Sequence, residues 1–255
     1  MDASATYSPD LSRVRVYVTS ISADSLTIER SVDEVRWEVI RGGRDIPVGS
    51  SAVFDDYEFA PGVTNFYRVT GDDSSTDTTS VTPDLAEAWL KIPAAPFLNR
   101  KVRLIGWDGI QREARSGVFD VQSRRTPIVV TDVHSSRSTT IRLRTTTLEE
   151  RDTLDTILSA GKAILVHMPA GSVFPSMYVV PGAYTIDRPA QRTSVSVFSI
   201  PVREVAKPNP SVVGSAGTWQ TVYNEFASWA DVLTGNDDWL AVSELIGSPN
   251  DIIVT

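Results

Sequence analysis

The stretch Thr147-Leu148-Glu149-Glu150-Arg151-Asp152-Thr153-Leu154-Asp155-Thr156-Ile157-Leu158-Ser159-Ala160-Gly161 runs straight into Lys162-Ala163-Ile164-Leu165-Val166-His167-Met168, and together they decide the fold class. The first half carries a helix signature. Thr147 and Glu150 have capping-box spacing, in which the hydroxyl accepts a first-turn N–H and the carboxylate reaches back to the cap. Glu149 and Glu150 also sit at the positive end of the helix dipole. Leu154, Ile157 and Leu158 share one face, and Gly161 is placed to end the run as a C′ residue. The second half reads as a strand. One amphipathic helix, about 147–160, set among strands predicts a mainly β, α+β fold with an antiparallel sheet.

Outward from this stretch the chain is β-rich. Val occurs 31 times and Ser plus Thr 52 times, mostly in short alternating runs between Gly, Pro, Asn or Asp. Strand candidates precede the helix at 101–105, 117–121, 127–133 and 139–144. Others follow it at Tyr178-Val179-Val180, Ala183-Tyr184-Thr185-Ile186 and Ser194-Val195-Ser196-Val197-Phe198. Nearer the start, residues 14–18, 26–30, 35–40 and 65–69 have sandwich-like spacing. A turn at Arg41-Gly42-Gly43-Arg44 and the stretch Asp55-Asp56-Tyr57-Glu58-Phe59-Ala60-Pro61-Gly62 lie between the last two. This pattern resembles a fibronectin-III-like or immunoglobulin-like sandwich. The resemblance implies that Tyr67 packs against the core and that Trp37 supplies its opposite wall.

Charge divides the 255 residues into three parts. Residues 1–83 carry 7 basic and 14 acidic side chains, 84–208 carry 17 and 12, and 209–255 carry none and 6. The joints coincide with Thr82-Pro83-Asp84, which follows a polar stretch at 71–80, and with Lys207-Pro208-Asn209-Pro210, a stiff, extended connector. Two domains and a C-terminal segment are expected. The absence of cysteine excludes disulfide frameworks, thiolate metal sites and cysteine nucleophiles. A net charge of −8 argues against a protein that coats nucleic acid or an anionic membrane. No basic-then-apolar leader opens the chain and no apolar run approaches a membrane span, so a soluble protein without membrane insertion is expected.

The last part repeats Trp-x-x-Val with a period of ten: Trp219 with Val222, Trp229 with Val232, Trp239 with Val242. Trp and Val three apart lie one helical turn from each other. Either these side chains pack on their own chain or they anchor a contact with a neighbouring subunit, where large aromatics are favoured. They are the candidate interface residues. Catalytic motifs are wanting: there is no Gly-x-Ser-x-Gly elbow, no phosphate loop and no His-Glu-x-x-His. His167, inside an apolar strand, reads as a structural histidine with its hydrogen bonds satisfied. Asp55, Asp56 and Glu58 lack the alternating spacing of a Ca²⁺ loop and read as a solvated turn. Arginines crowd residues 100–144 with only Trp107 and Phe119 as aromatics among them, which suits ion pairing between chains better than nucleic-acid binding. No enzyme activity, cofactor or metal is expected.

The order Ala88-Trp89-Leu90-Lys91, then Pro96-Phe97-Leu98-Asn99-Arg100, then Gly117-Val118-Phe119-Asp120-Val121, then Arg125-Thr126-Pro127-Ile128-Val129-Val130-Thr131-Asp132 resembles minor tail proteins of long-tailed actinobacterial phages. The helix ending at Gly161 and the closing tryptophan repeat share in the likeness. Residues of about 100–206 are similar to the belt domain of siphophage distal tail proteins. The resemblance implies a structural protein of the virion tail tip, made in the host cytoplasm. In it a ring, a hexamer of itself, joins the tail tube protein to other tail-tip and baseplate proteins, with genome DNA merely passing through the channel. It differs from the distal-tail pattern in placing the sandwich before the belt-like domain. A carbohydrate- or receptor-binding role on a host-surface glycan is the alternative.

Overall fold

The computed structural model describes residues 1–120, 122–188, 193–208 and 228–235. The fold is mainly β, with antiparallel sheets throughout and one long helix. In the first part, β1 (Asp2–Ser8), β2 (Arg13–Thr19) and β6 (Ala52–Asp56) form a sheet in the order β1-β2-β6. A second sheet has the order β4-β3-β7-β8, from β3 (Ser25–Ser31), β4 (Glu38–Val39), β7 (Asn65–Gly71) and β8 (Thr76–Val81). The short β5 (Ile46–Pro47) also pairs with β3. Strand periodicity turns Val14, Val16 and Val18 of β2, Leu26 and Ile28 of β3, and Tyr67 and Val69 of β7 into one buried cluster. Phe59, Leu85 and Trp89 complete it.

Several expectations for this part are corrected. Of residues 35–40, only Glu38–Val39 pairs as a strand, because the Asp33 carboxylate accepts the N–H groups of Val35 and Arg36 and turns the chain there. Trp37 is not the wall of the core; it lies half-buried with the Arg68 guanidinium 4.3 Å from its ring centroid. The polar stretch 71–80, which precedes the joint at Thr82-Pro83-Asp84, holds a strand, since Thr76–Val81 pairs along β7. That strand is polar because its outward positions face water at a sheet edge. The acidic stretch before Pro61 likewise begins as a strand, β6, paired with β2.

The second part is an eight-stranded sheet in the order β10-β9-β15-β16-β18-β14-β11, with β17 also on β18. The strands are β9 (Trp89–Lys91), β10 (Arg100–Lys101), β11 (Arg103–Trp107), β14 (Ser138–Thr145), β15 (Ile164–His167), β16 (Met177–Pro181), β17 (Thr185–Asp187) and β18 (Ser196–Glu204). Its two ends are consecutive in the chain. Arg100–Lys101 pairs with β9, Arg103–Trp107 pairs with β14, and the Val102 N–H between them donates to the Ala88 carbonyl, so the sheet closes on itself. Closure removes the long free edges that an open sheet would leave for stray pairing. Leu90, Ile92, Ile141, Leu143, Ile164, Val166, Val179, Phe198 and Ile200 fill the interior.

Helix α1 (Leu148–Ser159) packs on this core through Leu154, Ile157 and Leu158. Both halves of the capping box are present, and Gly161 adopts φ +62°, the left-handed stop that glycine tolerates. The strands expected at 117–121 and 127–133 do not join the main sheet. Shorter than expected, β12 (Gly117–Phe119) and β13 (Ile128–Val130) pair only with each other as a separate ribbon between β11 and β14. Of the tryptophan segment, helix α2 (Trp229–Gly235) is described, while Trp219, Val222, Trp239 and Val242 lie outside the described residues. Among the described residues, no helix is long and apolar enough to cross a membrane.

The cap supplies a direct check on the helix. Thr147→Ala is expected to cost about 1 kcal/mol, seen as a fall of roughly 2–4 °C in Tm for a chain of this size. Thr147→Ser should stay close to wild type in the same thermal melt.

Candidate functional site

Strands β9 and β15 are buried on both faces, and β16 is partly covered on its outer one. Their inward residues enter the closed sheet's core, and the alternate ones, Trp89, Lys91, Leu165, His167 and Tyr178, are in register on the outer face. The turn after β6 covers that face. Lys91 is 1% exposed, and its Nζ donates to the Ser12 carbonyl at 2.6 Å and the Tyr57 carbonyl at 2.8 Å while lying 4.5 Å from the Phe59 ring centroid. The Tyr178 hydroxyl donates to Glu58 Oε1, whose carboxylate also takes two bonds from Arg41 at 3.1 and 3.0 Å. Arg41 reaches on to the Pro208 carbonyl at 3.1 Å. Gly62, at φ +71°, lets the turn approach the loop after β15 so closely that an added Cβ would lie 2.3 Å from Ala170 Cβ.

The acidic turn is therefore not solvated. Asp55 is held by Arg13 at 2.6 Å and Arg15 at 2.9 Å. Asp56, on β6, takes Arg30 of β3 at 2.6 Å and the Tyr67 hydroxyl of β7 at 2.9 Å, tying the two N-terminal sheets together. Burial would raise the Asp56 pKa, yet the Arg30 charge, the Glu58 N–H and the Tyr67 hydroxyl together bring it below the ordinary carboxylate value. No group of three or more potential metal ligands occurs among the described residues. Tyr67 lies in the core, as the sandwich resemblance implied.

His167 is buried at 2% exposure, but its hydrogen bonding is only half satisfied. Its Nε2 lies 3.0 Å from the Phe59 carbonyl, an oxygen that can only accept, so Nε2 carries the proton and Nδ1 is left without a partner. Burial, reinforced by the Lys91 charge, holds its pKa down at about 2. Burial also lowers the Lys91 pKa well below its ordinary value, against the pull of Asp56 and Glu58. Both groups are sealed from solvent. This network joins two parts of the fold and offers neither side chain to a substrate.

The exposed face lies elsewhere. Five of the six ribbon residues are large and apolar, and Val118, Phe119, Ile128, Val129 and Val130 are 45–61% exposed. Ile105, Trp107 and Ile110 extend the apolar surface along β11 toward an open cleft of about 1070 Å³ between β11, the start of α1 and the loop to Phe174. In the register, Arg103 sits directly opposite Arg144. Of the crowded arginines, Arg137, Arg142 and Arg115 pair within the chain with Glu204, Asp108 and Asp132. Among the candidate interface residues, Trp229 is 59% exposed and Val232 buried, both on α2.

Sequence reading missed the ribbon's exposure, because alternation is lost when every residue is apolar. It also missed Lys91, whose signal was a lone cation inside Trp89-Leu90-Lys91-Ile92.

Two measurements test the covered network. In a double-mutant cycle of Glu58→Gln and Tyr178→Phe, a coupling of about 1–3 kcal/mol is expected in urea unfolding. A value near zero would show that the contact contributes nothing. For His167, the unfolded-state pKa is about 6.5 and the folded value lies far below it. The unfolded chain thus binds the extra proton, and stability falls as pH drops below about 6.5 by about 1.4 kcal/mol per unit. His167→Gln should flatten this slope between about pH 6.5 and pH 5.3, where most carboxylates remain ionised.

Compared with protein-family models and with curated proteins, the chain matches none of either, so the reading of its function rests on its own residues.

Proposed function

We propose that the chain is a structural subunit that works by assembling with copies of itself, of the tail-tip kind that its sequence resembles. The observation that carries this reading is the ribbon. Two three-residue strands with an apolar side chain at five of six positions are marginal in water without a covering surface. The closed sheet fits such a subunit, since contacts can then be made only through chosen projections and not through long free edges. A ring requires a heterologous contact between two different patches of one subunit, which a projecting ribbon supplies on one side.

In this reading residues 1–83 are a fibronectin-III-like module, with β1-β2-β6 facing β4-β3-β7-β8, and residues of about 84–208 are the belt-like ring former. Tail tube and other tip proteins are the neighbours above and below. The polar network around Lys91 fixes the module to the ring former so that the two act as one body. A glycan-binding role draws less support, because the Arg68 guanidinium already occupies the Trp37 face on which a sugar ring would stack.

Light scattering of the purified chain across a concentration series, followed by electron microscopy, is expected to give a closed oligomer. Val118→Asp with Val129→Asp should lower its association at least tenfold, since each places a charge in a covered apolar contact. Far-UV circular dichroism and thermal melting should remain those of a folded protein. A strict monomer at all concentrations would overturn the reading.

A further inference from the structure

We infer that the ribbon and the β11 surface beside it are covered by the acidic tryptophan segment, residues 209–255, of a second copy of the chain; the inference rests on the assembly reading. Two properties of the surface define its occupant. It is apolar, through Ile105, Trp107, Val118, Phe119, Val129 and Val130. It also carries arginines at both ends: among the described residues, the side chains of Arg124 and Arg125, in the turn between β12 and β13, and of Arg103 and Arg144, on β11 and β14, have no ion-pair or hydrogen-bond partner. Arg103 and Arg144 face each other across an antiparallel pair, an arrangement in which like charges repel. The partner must therefore bring apolar side chains and carboxylates together.

Within this chain there are two acidic parts: residues 1–83 carry 14 acidic side chains alongside 7 basic ones, and residues 209–255 carry six and none. In residues 1–83, Asp55, Asp56, Glu58, Glu29 and Glu38 are bound to Arg13 and Arg15, Arg30, Arg41, Arg68 and Lys207 respectively. Residues 209–255 hold six carboxylates and no lysine or arginine, so they cannot be neutralised within the segment. The same segment brings three Trp-x-x-Val repeats. Large aromatics flanked by carboxylates are the complement of an apolar, arginine-fringed surface. Its 47 residues, at no more than about 3.5 Å each, do not limit the reach between copies. An acidic segment on one side and a cationic ribbon on the other make the two unlike patches that a ring contact needs.

The test uses the full chain carrying a photoreactive phenylalanine analogue at position 219, prepared light and ¹⁵N-labelled and mixed before irradiation. Mixed-label cross-links to residues 103–133 are expected. Arg124→Glu with Arg125→Glu should weaken association roughly tenfold, and wild-type association should itself weaken between about 0.05 and 0.5 M salt as the charges are screened. An oligomer whose cross-links fall elsewhere, or stay within single chains, overturns this inference and leaves the assembly reading standing. A monomer with no mixed-label cross-links overturns both.

Discussion

A buried ammonium sets the terms on which the two halves of this protein meet. Lys91 gives up its hydration at the face between β9 and the turn after β6, and desolvation of a charge is costly unless fixed dipoles replace the water. Two backbone carbonyls, the face of Phe59 and the negative fields of Asp56 and Glu58 do so. Each of these comes from the N-terminal part, whereas Lys91 belongs to the closed sheet. A rotated or slipped docking would strand the charge, so the network specifies one arrangement where a purely apolar contact would admit several. His167 adds to this selectivity, because its neutral form needs the Phe59 carbonyl at one nitrogen and dry surroundings at the other.

That rigidity and the closed sheet have a common consequence. With the outer face of β9 and β15 covered and β10 joined to β11, the closed sheet itself has largely used up the ordinary means by which β proteins associate, an open edge or an open face. What projects is the ribbon. Its apolar residues point to both sides because a two-stranded ribbon with nothing packed on it has no inside. The surface that invites association is thus separate from the network that holds the subunit in shape. An interface substitution can weaken assembly without loosening the docking at Lys91.

Legibility in the sequence followed the physics of each element. Helix α1 could be read almost to the residue, because its cap, its apolar face and its glycine stop are local signals. Strands half exposed to water, such as β2, β3 and β7, showed their alternation. The polar edge strand β8 was hidden, since an edge strand with both neighbouring loops polar differs little in composition from a linker. The network at Asp56, Glu58, Lys91 and Tyr178 was hidden for another reason: its partners are 11 to 120 residues apart, and buried charge looks like surface charge until topology brings the partner. Trp37 misled because an aromatic in a strand-like run suggests a core, whereas a carboxylate four residues earlier had already turned the chain.

The ribbon finally bears on how folding and assembly are related. A short two-stranded ribbon gains few hydrogen bonds against the backbone entropy of ordering it, and here its side chains recover little, being in contact mostly with water. In the proposed assembly, covering it would remove that apolar area from water and supply the missing term, so that ordering of the ribbon and association would be linked through mass action. The closed sheet does not share this dependence, because its core is filled by its own residues. On that proposal the chain divides into a body whose stability would be independent of concentration and a projection whose stability would not. Such a division would let the body fold before subunits meet and leave the contact surface to order when a neighbour is present.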